Sequence, residues 1–198
     1  ASRKTSERLV LVVEMRVIAG KAKGTRLTSV AGLGTRPTGD RVKEALFNIL
    51  GPSIINSAFL DLYAGSGAMG LEALSRGSID VVWVDANPAC TAQVRRNLEK
   101  TGLTGGEIYT NDVLRALERL ERRGVKFDVI FLDPPYNQGL VRKTLEHPAT
   151  TRVLKKDGII IAEISKKEEA PRDMSKLCLK REQRYGDTIL LFYHMRGS

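Results

Sequence analysis

Apolar positions along this chain form two recurring patterns, short continuous runs and longer stretches with helical spacing, and the two alternate for most of its length. The runs at Ser57–Leu62, Asp80–Val84, Glu107–Thr110, Phe127–Leu132 and Ile159–Ile164 predict strands, the last of them following a turn at Lys155–Gly158. Between them Ala68–Arg76, Asn87–Lys100, Val113–Arg122 and Gln138–Glu146 predict helices. Asn87-Pro88 supplies a cap and a first-turn proline for the second of these, and Gly102 closes it. Strands alternating with helices imply an α/β fold whose mostly parallel sheet is covered on both faces. The end of the chain breaks the rhythm, because Leu177–Arg184 and Thr188–His194 both read as strands. Only Tyr185-Gly186-Asp187 separates them, which forces an antiparallel hairpin at the sheet edge.

Ahead of this core the pattern is different. Two short strand-like runs between Met15 and Thr28 flank a turn at Gly20–Gly24 and predict a hairpin. A loop with Thr35-Arg36-Pro37-Thr38 leads to a helix at Arg41–Leu50, capped by Thr38 or Asp40 and ended by Gly51. Val42, Ala45, Leu46, Ile49 and Leu50 share one face of it. The expected division is therefore 1–14 as an extension, 15–51 as a basic hairpin and helix, and 52–195 as the core domain. Residues 1–14 precede Met15-Arg16-Val17-Ile18-Ala19-Gly20, which reads like a natural start, so they are expected to be upstream or vector-derived; Met195-Arg196-Gly197-Ser198 reads as a vector remnant.

With 198 residues the chain is long enough for one well-packed domain. No stretch approaches a membrane span and no leader pattern opens it, so a cytoplasmic protein without membrane contact is expected. Cys90, Cys178, His147 and His194 stand apart from one another, which argues against a disulfide framework and a metal site. The net charge of +9 points to a polyanionic partner. Between Met15 and Leu50 the seven basic residues Arg16, Lys21, Lys23, Arg26, Arg36, Arg41 and Lys43 face only Asp40 and Glu44, so more than half of the net charge is concentrated there.

Two motifs carry chemistry. In Asp61-Leu62-Tyr63-Ala64-Gly65-Ser66-Gly67-Ala68-Met69-Gly70 the glycines have G-x-G-x-x-G spacing between a strand and a helix, which lets the backbone turn tightly and approach a ligand. Asp85, beside Ala86 at the end of the next strand, can accept from ribose hydroxyls. That much also suits a dinucleotide. S-adenosylmethionine is favoured by Asp61, placed to face an ammonium group, and by Asp112, flanked by Asn111 and Val113, placed to accept from an adenine amine. Asp85 or Asp112 alone would equally suit a helix cap. The second motif, Asp133-Pro134-Pro135-Tyr136, follows a buried strand and offers an acidic side chain, a carbonyl between two prolines and an aromatic face. Such a set can grip a planar amino group, whether of adenine, cytosine, guanine or glutamine.

Thr35-Arg36-Pro37-Thr38, Asp40 through Leu50, Asp61 through Gly70, Asp133 through Tyr136 and Tyr185-Gly186-Asp187 together resemble the RsmD family of bacterial 16S ribosomal RNA guanine-N2 methyltransferases. The resemblance implies a seven-stranded Rossmann-like class I methyltransferase acting on a guanine amine of 16S rRNA, within an assembled or partly assembled small subunit. It implies that Asp61, Gly65, Ser66 and Gly67 belong to the cofactor loop, Asp85 holds the ribose, Asp112 meets the adenine, and Asp133 to Tyr136 are catalytic. S-adenosylhomocysteine would be the product, and a monomer is expected. The competing readings are an amino methyltransferase for DNA adenine or protein glutamine, a non-catalytic RNA-binding module, and an NAD-dependent oxidoreductase. The first more often carries Asn where this chain has Asp133, the second does not need the intact motifs, and the third lacks a visible hydride-site acid or base.

Overall fold

The computed structural model describes residues 15–30 and 39–197. A two-stranded antiparallel ribbon comes first, β1 (Met15–Arg16) with β2 (Arg26–Leu27). Its strands are shorter than the sequence suggests, for an identifiable reason. Val17 still bonds across the ribbon to Thr25 O, but the two amides after it are not offered to a partner strand: Ile18 N–H and Ala19 N–H donate to the carboxylate of Glu72 at 2.7 and 3.0 Å. Helix α1 (Asp40–Leu50) then begins one residue early, with Gly39 at the cap position and no side-chain cap, and the chain continues through a 3-10 turn at Gly51–Ile54. Asp40 sits in the first turn, where the helix dipole favours an acid. Thr38, the other expected cap, lies outside the described residues.

The core is a seven-stranded sheet in the order β5-β4-β3-β6-β7-β9-β8. Its strands are β3 (Ala58–Leu62), β4 (Asp80–Asp85), β5 (Glu107–Thr110), β6 (Phe127–Leu132), β7 (Leu154–Ser165), β8 (Leu177–Tyr185) and β9 (Thr188–Met195). The first five are parallel, and β9 runs antiparallel between β7 and β8. The α/β class, the parallel sheet and the edge hairpin through Gly186-Asp187 are as expected. Strand order reverses between β3 and β6, so the crossovers diverge there and leave a crevice at the carboxyl ends of those strands.

Helices α2 (Ala68–Ser75) and α3 (Pro88–Thr101) cover one face, together with α1 and the ribbon. Met15, Val17 and Leu27 share that core with Leu46, Phe47, Phe59, Leu71 and Trp83. Helices α4 (Val113–Arg122), α5 (Leu140–Glu146) and α6 (Pro148–Arg152) cover the other.

Two local expectations fail. The predicted helix Gln138–Glu146 starts only at Leu140, because Gly139 at φ +65° sits outside the helical region, and the separate α6 was not foreseen. Its start is marked by Pro148 after His147, whose ring nitrogen accepts from Ala149 N–H. The expected turn at Lys155–Gly158 lies inside β7, whose pairing with β6 jumps from Phe127–Leu154 to Val129–Ile159. The turn-forming residues are accommodated as an irregularity in a continuing strand.

Candidate active site

β3 leads into the glycine turn. Asp61 is 2 % exposed, and Gly70 N–H donates to its Oδ2 at 2.9 Å, tying the strand to the first turn of α2. Burial pushes its carboxyl up to about 8, because that one backbone N–H offsets little of the desolvation, and nearby Asp85 adds to the rise. In this structure Asp61 therefore braces the turn from below; the expected role, facing an ammonium group, would give the buried carboxylate a countercharge. A raised folded-state value means that between the ordinary 3.8 and about 8 the folded protein keeps a proton the unfolded chain has lost. The associated stability is complete below 3.8 and disappears as pH rises through about 8. Urea unfolding of cofactor-free protein should accordingly show a larger loss of stability from pH 5 to pH 8 for the wild type than for Asp61→Asn.

The three glycines have different reasons to be there. A Cβ at Gly67 would meet Val94 Cγ1 at 2.9 Å, and one at Gly70 would meet Trp83 Nε1 at 2.2 Å. Both positions are closed by packing. Gly65, at φ +56°, has nothing within 4 Å of its would-be Cβ, so it is the glycine that leaves open space for a ligand. Tyr63 is also left-handed, at φ +61°, a conformation costly for an aromatic residue; its hydroxyl is held at 2.7 Å from Thr144 Oγ1. Ala64 N–H donates to Val84 O, and Ser66 donates through Oγ to Met15 Sδ while its carbonyl accepts from Asn97 Nδ2 at 2.9 Å. Asn97 is buried and also bonds Thr28 N–H, hydroxyl and carbonyl, so one amide joins the ribbon to the turn.

At the end of β4, Asp85 accepts from Gly65 N–H (2.9 Å) and Asn87 N–H (2.8 Å) on different carboxylate oxygens, and the Cys90 thiol also bonds it. A carboxylate offers about four acceptor sites, so Asp85 can still accept from a ribose hydroxyl. Ala86 beside it is exposed. At the end of β5, Asn111 N–H donates to Asp85 O, and Asp112 is exposed and caps α4 through Leu114 and Arg115 N–H. Capping uses Oδ1 alone, so it does not conflict with a ligand role. Val113 is buried in the core beneath.

The second motif ends β6, directly beside β3, with Asp133 N–H reaching Leu62 O at 3.5 Å. Asp133 is half-buried, Pro134 buried, Pro135 exposed and Tyr136 half-buried. The Tyr136 hydroxyl donates to Glu163 Oε1 at 3.0 Å and also bonds Thr188. Burial, then Glu163 and Asp133, hold that hydroxyl far above the usual phenol range, so it remains a donor. Beyond it is a hollow of about 280 Å³ lined by Tyr136, Asn137, Ser165, Lys166, Lys167, Asp187 and Thr188. Glu163 was missed by sequence reasoning, although a carboxylate inside the apolar run Ile159–Ile164 was a visible signal.

Among the basic residues, Arg16, Lys21, Lys23, Arg26 and Arg41 are exposed, with Arg16 paired to Asp40 at 3.0 Å; Arg36 lies outside the described residues. Lys43 requires correction. It is 1 % exposed, donates to the Arg16 carbonyl, and lies 3.8 Å from Glu72 and 3.9 Å from Asp40. Burial lowers its pKa, against the pull of those two acids. It stands three and four residues before Leu46 and Phe47, hence on the buried face, and cannot meet a phosphate. Among the described residues no cluster of His, Cys, Asp and Glu could hold a metal ion, and no helix is long and apolar enough to cross a membrane.

Comparison with known proteins gives a consistent result. The family model described as "Conserved hypothetical protein 95" matches residues 15–194. A Bacillus subtilis protein named "Putative rRNA methyltransferase YlbH" is 41 % identical over 184 residues, 92 % of this chain and 100 % of the relative. The Escherichia coli "Ribosomal RNA small subunit methyltransferase D" is 31 % identical over 93 % of this chain and 92 % of its own. A solved structure described as a putative methyltransferase, yhhF, from Escherichia coli superposes with a TM-score of 0.80 at 30 % identity, covering 93 % of this chain and 99 % of that one.

Proposed function

The chain belongs to the conserved hypothetical protein 95 family, which includes the RsmD rRNA methyltransferases, and from that premise we propose that it methylates the N2 amine of one guanine in 16S ribosomal RNA. The cofactor is S-adenosylmethionine, and S-adenosylhomocysteine leaves. The observation that carries this reading is the adjacency of the two motifs: the glycine turn ends β3 and Asp133 to Tyr136 ends β6, neighbouring strands at the switch point of the sheet.

When bound, the cofactor supplies an electrophilic sulfonium methyl group. The open space at Gly65 and the carboxylates of Asp61, Asp85 and Asp112 fit its backbone contact, ammonium, ribose and adenine in turn. The guanine amine is a poor nucleophile because its lone pair is delocalised into the ring. The Asp133 carboxylate and the Pro134 carbonyl accept its two hydrogens and turn the lone pair towards the methyl group, a gain by positioning and electrostatics. Pro135 keeps Pro134 extended, and neither ring carries an N–H to compete for the carbonyl. Tyr136 stacks on the base, which must leave its own stack to reach the crevice. Asp133 or water takes the proton once methylation has made the nitrogen acidic.

The exposed cations of the ribbon and α1 contact phosphates, giving affinity and orientation without reading sequence. Lys21→Glu with Lys23→Glu should weaken binding to small subunits and reduce the slope of log affinity against log salt by about one per lysine, whereas Lys43→Met should leave that slope unchanged. Filter binding across a salt series reads both. The proposed setting is a cytoplasmic monomer acting on an assembled or partly assembled small subunit. The substrate class is tested by incubating the protein and labelled methyl donor with undermethylated small subunits, naked rRNA, DNA and release factor. Label in small-subunit RNA supports the proposal; label only in DNA or release factor overturns it.

A further inference from the structure

Glu163 is an acidic side chain on a buried stretch of the sheet. It is 2 % exposed, on a strand flanked by β6 and β9, with Ile160, Ile161, Ala162 and Ile164 around it all buried. A carboxylate in such a place is costly unless its oxygens are hydrogen-bonded, so its partners indicate why it is tolerated. One partner is the Tyr136 hydroxyl, which donates to Oε1 at 3.0 Å. The register explains the meeting. Leu132 pairs with Ala162, so one residue further Asp133 leaves β6 beside Glu163, and the chain needs only the two prolines to bring Tyr136 back over it. On the other side Ser165 pairs with Thr188, whose hydroxyl also reaches Tyr136. The ring is thus tied at its far end to β7 and β9, and at its backbone to the end of β6.

We infer that Glu163 is a positioning residue for methyl transfer, one that fixes the position of the Tyr136 ring on which the target base stacks. This deepens the function proposed above and rests on it. The carboxylate need not touch base, cofactor or reacting atoms. A planar base held at its amine by Asp133 and Pro134 can still pivot about that edge; a ring of fixed position removes the pivot. Misplacement of a reacting group by about 1 Å can cost about a hundredfold in rate, so a loosened ring should appear in turnover rather than in binding.

The test combines kinetics with a direct view of the ring. With small subunits as substrate, Glu163→Ala should lower kcat by about 10- to 100-fold with little change in KM or cofactor affinity. Glu163→Gln, which keeps an acceptor for the hydroxyl, should recover most of the rate. Tyr136→Phe, which also gives up the bond to Thr188, should lose at least as much as Glu163→Ala, and the double variant no more than Tyr136→Phe, because the bond to Glu163 is already gone. Carbon-13 labelling of the five tyrosines, with the Tyr136 signal assigned from Tyr136→Phe, should show a single ring position in the wild type and in Glu163→Gln, and shifted or averaged ring signals in Glu163→Ala. Losses that multiply in the double variant, a loss confined to cofactor affinity, or an unchanged ring in Glu163→Ala would each overturn the inference. Wild-type protein that transfers nothing to subunits would sink the functional reading alone, while the ring measurement would still decide the role of Glu163.

Discussion

Asp133→Ala should lower methyl transfer by about 10²- to 10³-fold or more while leaving cofactor affinity nearly unchanged, as expected when a preorganised polar partner of the reacting group is removed. The separation follows from the architecture. Every residue assigned to the cofactor lies at the ends of β3, β4 and β5, whereas Asp133 ends β6 on the other side of the switch point. Without its carboxylate the amine keeps only the Pro134 carbonyl as a partner, so the lone pair is no longer held out of conjugation. Single-turnover rates and calorimetric cofactor binding on the same preparation separate the two quantities. A large loss of cofactor affinity would place Asp133 in the cofactor wall instead.

The largest effect on stability is expected from Glu72→Ala, at about 3–5 kcal/mol, the usual consequence of removing one partner from a buried ion pair. Glu72 is fully buried and receives four donors' attention at once: Ile18 and Ala19 N–H, Arg76 Nε at 2.7 Å, and Lys43 at 3.8 Å. Its loss leaves a buried lysine short of countercharge and two ribbon amides without an acceptor. Against a typical domain stability of about 5–15 kcal/mol this is a large fraction, and urea unfolding should show it as a lower midpoint. Glu72→Leu with Lys43→Met removes both charges and should recover part of the loss. Recovery cannot be complete, since the Ile18 and Ala19 amides remain unpaired.

These residues also mark what the sequence does not disclose. The alternation of strand and helix, the glycine turn and the Asp-Pro-Pro-Tyr corner depend on neighbours along the chain, and the structure has them where spacing puts them. The edge hairpin is equally local, set by the two residues Gly186 and Asp187 between paired ends. Lys43, Glu72, Asn97 and Glu163 are different, because each is a polar side chain whose partner is distant in sequence. Glu72 is 54 residues from Ile18, Asn97 is 69 from Thr28, and Glu163 is 27 from Tyr136. Charge counted along the chain makes Lys43 another basic surface residue; only the helical face it shares with Leu46 and Phe47 removes it. Gly67 and Gly70 likewise fit a ligand-binding spacing, yet Val94 and a φ of +79° oppose a side chain at Gly67, and Trp83 forbids one at Gly70. The course of β7 escapes a local reading for a related reason, as pairing with β6 on both sides of the turn-forming residues carries the strand through them.

Which atom receives the methyl group is read by nucleoside analysis. Small subunits lacking their own guanine methylation would be treated with the protein and S-adenosylmethionine, and the 16S rRNA digested and separated by chromatography with mass detection. New N2-methylguanosine should appear at a single position and be absent when Asp133→Ala protein is used. Methyl groups on adenine N6, on cytosine or on ribosomal protein, with no N2-methylguanosine, would contradict transfer to guanine N2.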